Sequence, residues 1–366
     1  MLQIKPRTHQ LHDLGQRLWL ESVSLPLLNS GKLARYIAEL SVSGLSANPA
    51  LFEQALGASD VYDAPIARLV DRGRAGEDLF YELVLADLRP AAALLRPLFD
   101  ASAGADGWVS LEVSPLLADN TAHTIQAAHR LVDRAALANL MVKIPGTPEG
   151  LRAVEELVVD GVPVNVTLLF SPAQYLAAAQ AWQRGIMRRL AAGLEPAEAA
   201  VPALMSLFVS RWDSAVQDLV TPVLQNRLGI VMAMRSYQAH CALLASAPWQ
   251  QLAAAGVPAQ RLQWAGVDSG GAALPDTLYV QALAAAGTLC VMSEHTLLAV
   301  ADHGCFDALL PTDGAYADAL LQEFIREGVA EETLASRLQR DGVDACALAW
   351  HALLTRIGQK CAGAAG

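Results

Sequence analysis

Leu140-Met141-Val142-Lys143-Ile144-Pro145 is a short apolar run interrupted once, by a lysine. Read as a strand, residues two apart share a face. Met141 and Lys143 then point one way, and Leu140, Val142 and Ile144 the other. The same arrangement recurs on either side. In 108–114 (WVSLEVS), Ser110 and Glu112 oppose Val109, Leu111 and Val113; in 163–169 (PVNVTLL), Asn165 and Thr167 oppose Val164, Val166 and Leu168. Gly44, Ser46 and Asn48 repeat the scheme in 42–48 (VSGLSAN), as do Ser206 and Phe208 in 204–210 (LMSLFVS). A parallel strand covered on both faces should be apolar throughout. Here one face is apolar, as packing on helices requires, and the other is polar.

Three further stretches read as strands: 17–22 (RLWLES), 261–267 (RLQWAGV) and 288–293 (TLCVMS). Helical patterns lie between them, at 121–137, 172–192 and 228–245. Asn120 and Thr121 open the first, and Ser171-Pro172 the second, as caps should. Strand alternating with helix predicts a parallel sheet with right-handed crossovers. Eight such strands predict an α/β fold of the (β/α)8 TIM-barrel type. Residues 57–100 carry no strand signal and are expected to form a helical insertion after strand 2. Residues 311–366 are expected to be a helical C-terminal extension, the whole chain 1–366 forming one barrel domain. The polar faces must then point into the barrel. Polar side chains converging near strand ends are what an active site looks like.

Composition excludes several classes. Of 366 residues, 53% are hydrophobic and 17% charged, the opposite of a disordered chain. No apolar run reaches the length of a membrane-spanning helix, so no membrane contact is expected. The formal net charge is −11 and lysine occurs only at positions 5, 32, 143 and 360, with no basic cluster for nucleic acid. The five cysteines include no C-x-x-C pair, and the eight histidines no H-x-H or H-E-x-x-H, so neither a disulfide framework nor a metal site is suggested. The absence of G-x-G-x-x-G and Walker sequences argues against a nucleotide cofactor. The opening residues MLQIKPRTHQ lack the apolar core of a secretory leader, and a reducing cytoplasm is the expectation. The abundance of apolar residues leaves room for a homo-oligomer interface.

Lys143 carries the chemistry. A lysine amid core residues is either paired with a carboxylate or an amine nucleophile, and both remain open at this point. As a nucleophile, burial would lower its pKa and free the amine to form a Schiff base with a carbonyl. Glu112, on the same face of the preceding strand, could shuttle the protons. Asn48, Asn165 and Thr167 are neutral and suit the hydroxyls of a polyol. Arg211 follows the sixth strand, where it could clamp a phosphate or simply be solvated.

With these residues the chain resembles the transaldolases, in particular the longer bacterial subfamily. The segments that carry the resemblance are LHDLGQRLWLES (11–22), GLSANPALFEQAL (44–56), VSLEVSPLLADNT (109–121), LMVKIPGTPEGLRAVEEL (140–157), VPVNVTLLFSPAQY (162–175), SLFVSRWDSAV (206–216) and LPDTLYV (274–280). The resemblance implies a (β/α)8 barrel without metal or organic cofactor, acting on sugar phosphates in the non-oxidative pentose phosphate pathway. It implies transfer of a dihydroxyacetone unit from a ketose phosphate to an aldose phosphate. Lys143 falls on the Schiff-base lysine, and Glu112 on a glutamate that works through a water. Asn48, Ser110, Asn165, Thr167, Ser206 and Phe208 fall on residues that hold the substrate or shape the pocket, and Arg211 on a phosphate-binding arginine.

The chain departs from the family at three places. Glu21 stands where the family has an aspartate acting as acid and base at the hydroxyl beside the cleaved bond. Ser46-Ala47-Asn48-Pro49 replaces T-S-N-P. The stretch 265–271 (AGVDSGG) lacks the usual lysine and adds Asp268; if that loop contacts the distal phosphate, affinity for phosphorylated sugars should fall. A Schiff-base aldolase with altered sugar preference, and a barrel that binds without catalysing, are the alternatives these departures suggest.

Overall fold

The computed structural model describes residues 6–269, 274–311 and 314–364. Eight parallel strands close a barrel in chain order: β1 (Arg17–Leu20), β2 (Val42–Ser46), β3 (Trp108–Glu112), β4 (Leu140–Pro145), β5 (Val164–Leu169), β6 (Ala203–Phe208), β7 (Arg261–Ala265) and β8 (Leu289–Met292). β8 pairs back onto β1. This is the (β/α)8 TIM barrel read from the sequence, and no strand end moves by more than two residues. Most of the shortening is at C-terminal ends, where a cap takes over from the ladder. Asn48, for instance, becomes the N-cap of helix Pro49–Ala58.

The helices between the strands begin as their caps direct. Asn120 accepts from the His123 amide at the start of Thr121–Ala135. Ser171 and Gln174 form a reciprocal capping box at the start of Pro172–Ala191. The insertion after β2 is helical but starts earlier than expected, as Pro49–Ala58, Asp63–Val70 and Gly76–Ala101. The C-terminal segment forms Ala315–Arg326 and the long helix Glu331–Ala364.

The apolar core has two shells. The outward faces of the strands, among them Val109, Leu111, Val142, Ile144, Val164 and Val166, are buried under the helices. A second cluster lies inside the barrel: Trp19, Trp108, Met141, Leu204, Leu289 and Val291 form an apolar floor. The inward faces are therefore not polar throughout; this apolar layer separates the polar residues near the mouth from Arg17 and Arg261 at the opposite strand ends, both paired with Asp106. Gly44 belongs to the floor rather than to the polar set. It pairs with Trp19 across β1 and β2, and a Cβ on it would lie 2.3 Å from the Trp19 ring. Above the floor, Asn165 Nδ2 donates to Ser110 Oγ at 3.2 Å. Ser206 Oγ lies 2.7 Å from Asn165 Oδ1 and 2.6 Å from Gln263 Oε1. These bonds tie β3, β5, β6 and β7 together under the mouth.

The insertion carries a buried acid. Asp87 accepts from the Tyr62 hydroxyl at 2.6 Å, and burial pushes its carboxyl up to about 7. A folded-state pKa above the unfolded one stabilises at low pH, and that contribution is lost as pH rises from about 4 through 7. Asp87→Asn removes the ionisation but keeps an acceptor for Tyr62. The difference in Tm, variant minus parent, is expected to rise between pH 4.5 and pH 8, by the equivalent of about 3 kcal/mol. A pH-independent difference in paired thermal melts would refute the assignment.

Candidate active site

The strand register brings Glu112 opposite Lys143, Lys143 opposite Asn165, and Pro145 opposite Thr167. Lys143 Nζ lies 3.6 Å from Glu112 Oε2, and both residues are only 8% exposed. Glu21 follows β1, and its amide still donates to Met292 O of β8 at 2.8 Å. Its carboxylate accepts from Asn48 Nδ2 at 2.9 Å. Asn48 is fixed in turn because its Oδ1 accepts from the Ala50 amide at 2.9 Å. One residue thus caps a helix and aims its amide at Glu21.

Electrostatics corrects one expectation. Burial does pull the Lys143 ammonium down, but the nearby carboxylates of Glu112 and Glu21 outweigh it, and the lysine pKa stands above its ordinary value. Burial pushes the Glu112 carboxyl up, against the pull of Lys143. These two carboxylates favour the ammonium form of Lys143. Glu112 is the adjacent carboxylate to which that proton can pass, which leaves a neutral pair that burial favours.

Thr167 Oγ1 is buried without a hydrogen-bond partner. It lines a small cavity of about 10 Å³ together with Glu112, Pro145, Leu168, Val343 and Cys346. That is about the least space that holds one water, and Glu112 and the unpartnered Thr167 are both in its lining. Next to it, Leu168 has φ +59°, and the β5–β6 register slips between Val166 and Leu169. Such a bulge re-aims side chains at a strand end. Gln339 Nε2, from the long C-terminal helix, donates to Leu168 O at 2.9 Å and to Gly146 O at 3.0 Å. It thereby ties the ends of β4 and β5 to that helix. Farther along, Trp350 Nε1 donates to Glu77, which also accepts from Ser114 just beyond β3.

Arg211 lies in the first turn of helix Ser210–Val216 rather than in a loop. Its guanidinium sits 4.9 Å from the centre of the Phe208 ring, which stacks on Phe170. It has no carboxylate partner among the described residues. The helix under it is held by buried Asp213, which accepts from the Gly229 amide and the Tyr279 hydroxyl. Asp268 plays a local part. Its Oδ1 accepts from the Ser293 amide, the Ser293 hydroxyl and the Thr296 hydroxyl, fastening the end of β7 to the start of helix Glu294–His303. Gly270 and Gly271, in the same divergent stretch, lie outside the described residues.

The structure thus gathers Lys143, Glu112, Glu21, Asn48 and Thr167 at the C-terminal end of the barrel. Ser110, Asn165 and Ser206 lie one layer below, and Phe208 and Arg211 at the rim. Three residues were missed. Gln263 completes the Ser110–Asn165–Ser206 layer and falls on the same period-two face as Arg261 and Ala265, a signal that was available. Gln339 and Cys346 come from the C-terminal extension; Gln339 is a polar residue beside the buried apolar stripe Ala335, Leu338, Trp350, Leu353. A groove of about 760 Å³ lies elsewhere, on the outer wall between Gly76–Ala101 and Thr121–Ala135. Its Arg134 is already paired with Asp78 and Glu82. Among the described residues, no group of three or more His, Cys, Asp or Glu is placed to hold a metal ion, and no helix is long and apolar enough to cross a membrane.

A statistical description of the transaldolase/fructose-6-phosphate aldolase family matches residues 18–357. The chain is 40% identical to a transaldolase of Thiobacillus denitrificans over 358 residues, covering 96% of this chain and 99% of that protein. It is 38% identical to a transaldolase of Thermobifida fusca over 371 residues, covering 96% and 98%. With a transaldolase of Neisseria meningitidis it shares 37% over 344 residues, covering 94% and 97%. A buried lysine–glutamate pair at the mouth of an eight-stranded barrel and these near-full-length matches lead to one conclusion: the chain belongs to the transaldolase/fructose-6-phosphate aldolase family.

Proposed function

We propose that this chain is a transaldolase. It moves a dihydroxyacetone unit from a ketose phosphate, fructose 6-phosphate or sedoheptulose 7-phosphate, to an aldose phosphate such as glyceraldehyde 3-phosphate or erythrose 4-phosphate. The observation that carries the reading is the Lys143–Glu112 pair, 3.6 Å apart and buried, with Glu21 close enough to act on the same lysine.

Lys143 gives its proton to Glu112, and the amine attacks the ketose carbonyl carbon. The carbinolamine loses its hydroxyl as water, protonated by Glu112 through a water in the Thr167 cavity, and an iminium forms. Glu21 takes the proton of the hydroxyl beside the scissile carbon–carbon bond. That bond breaks, its electron pair enters the iminium, and the aldose leaves as an enamine remains on Lys143. The enamine carbon then adds to the acceptor aldehyde, Glu21 returns the proton, and water releases the new ketose. Asn48 holds Glu21 in place. Ser110, Asn165 and Ser206 support the substrate hydroxyls from below, with Phe208 shaping the wall. Arg211, without an acid of its own, is left free for the phosphate.

Borohydride added with fructose 6-phosphate is expected to fix the intermediate as a secondary amine, and peptide mapping is expected to place the adduct on Lys143. An unmodified Lys143 at saturating sugar in folded protein would overturn the reading. Product analysis separates transfer from simple cleavage: release of free dihydroxyacetone in the presence of acceptor would favour an aldolase.

A further inference from the structure

Gly342 lies inside the long C-terminal helix, where glycine is the least favourable residue after proline. Two later glycines of that helix, Gly358 and Gly363, face open space. Gly342 does not. A Cβ on it would stand 3.1 Å from Arg211 Nη1 and 3.0 Å from Leu168 Cδ2, closer than ordinary contact. Both atoms are side-chain ends, and one of them must give by a few tenths of an ångström to admit a methyl group. Leu168 is held in its left-handed conformation with its carbonyl bonded to Gln339. Arg211 is fixed at its base by the Asp213 anchor and lies against Phe208. The movable part is the guanidinium tip, the part that would meet a phosphate.

We propose that Gly342 is a specificity-determining position: its missing side chain keeps open the space in which the Arg211 guanidinium lies, so the C-terminal helix sets how strongly phosphorylated sugars are preferred. This rests on the reading of Arg211 as the phosphate contact. A planar guanidinium binds phosphate through paired, directional hydrogen bonds, so a displacement of a few tenths of an ångström weakens them without touching Lys143. Neither Lys143 nor Glu21 is among the atoms nearest that Cβ, so the effect is expected at the phosphate end; Leu168, which also lines the Thr167 cavity, is the one neighbour shared with the catalytic pair.

The test compares Gly342→Ala, Gly358→Ala and Arg211→Ala. Gly342→Ala is expected to raise KM for fructose 6-phosphate and Ki for inorganic phosphate about fivefold, with kcat within about twofold of the parent. Its borohydride adduct with dihydroxyacetone, which has no phosphate, is expected at the parent's yield. Alanine favours the helix, so Tm should not fall. Gly358→Ala is expected to change none of these. Arg211→Ala should move the same two constants farther. If Arg211→Ala moves them and Gly342→Ala does not, the role of Gly342 is overturned alone. If Arg211→Ala leaves them unchanged, the phosphate assignment falls and the proposal with it. Loss of the dihydroxyacetone adduct in Gly342→Ala would mean general damage to the site and would also overturn it.

Discussion

Lys143→Met lowers kcat/KM for transfer by about four orders of magnitude or more and leaves a folded barrel. The nucleophile has no substitute nearby: the other lysines described, Lys32 and Lys360, are tied to Glu294 and Asp63 elsewhere on the molecule. Methionine fills most of the space, so the cost in stability comes from Glu112, which loses its cation while still buried. Burial already pushes that carboxyl up, and without the lysine it takes a proton instead of remaining charged. A raised folded pKa stabilises below the unfolded value and loses that contribution as pH rises. The variant should therefore melt close to the parent near pH 5 and progressively lower toward pH 8. Two measurements check this: the pH series of melts, and transfer kinetics with borohydride trapping. Residual activity above about one per cent would show that the covalent route does not run through Lys143.

How far such a site is legible beforehand depends on the distance over which each property is set. Period-two alternation is local, and it was enough to put Glu112 and Lys143 on one face of neighbouring strands, with Asn165 and Thr167 beside them. The lysine's charge state is not local. Judged from its own strand, Lys143 is a desolvated amine with a lowered pKa. In the barrel, Glu21 from β1 and Glu112 from β3 reverse that direction. The lower interior escaped the reading for a similar reason. The pairing of Gly44 with Trp19 shows the former to be space for an indole, whereas within its own strand it looks like one more member of a polar face. The rim was least legible. Gln339 reaches Leu168 O across 171 residues of chain, and Gly342 is informative only because Arg211 lies against it. A helical extension can be recognised from its apolar spacing, but not where it lands. Asp268 shows the same dependence on distance: beside a missing lysine it reads only as an added negative charge, while in the barrel its Oδ1 also accepts from Ser293 and Thr296.

Glu21→Gln separates the two halves of the reaction. Glutamine keeps an oxygen at the position where Glu21 accepts from Asn48, so the end of β1 and the cap of helix Pro49–Ala58 should stay in place. What disappears is the group that removes the proton from the hydroxyl beside the scissile bond. General-base loss costs about 10² to 10⁴ in rate. Lys143 and Glu112 remain, so the Schiff base still forms. The expected signature is therefore an adduct with fructose 6-phosphate at near-parent yield, carrying the full six-carbon sugar, in an enzyme that barely turns over. The parent, which cleaves the bond, should give a share of three-carbon adduct under the same conditions. Glu21→Asp completes the argument. It restores the family's residue but withdraws the carboxylate by one methylene from Asn48. A misplacement near 1 Å in a catalytic group costs about 100-fold, so this variant should fall between glutamine and the parent if the backbone here is matched to the longer side chain. An aspartate variant faster than the parent would show the opposite, that Glu21 is a handicap the barrel tolerates. Transfer at the parent's rate in Glu21→Gln would remove Glu21 from the proton path altogether and shift that role to Glu112.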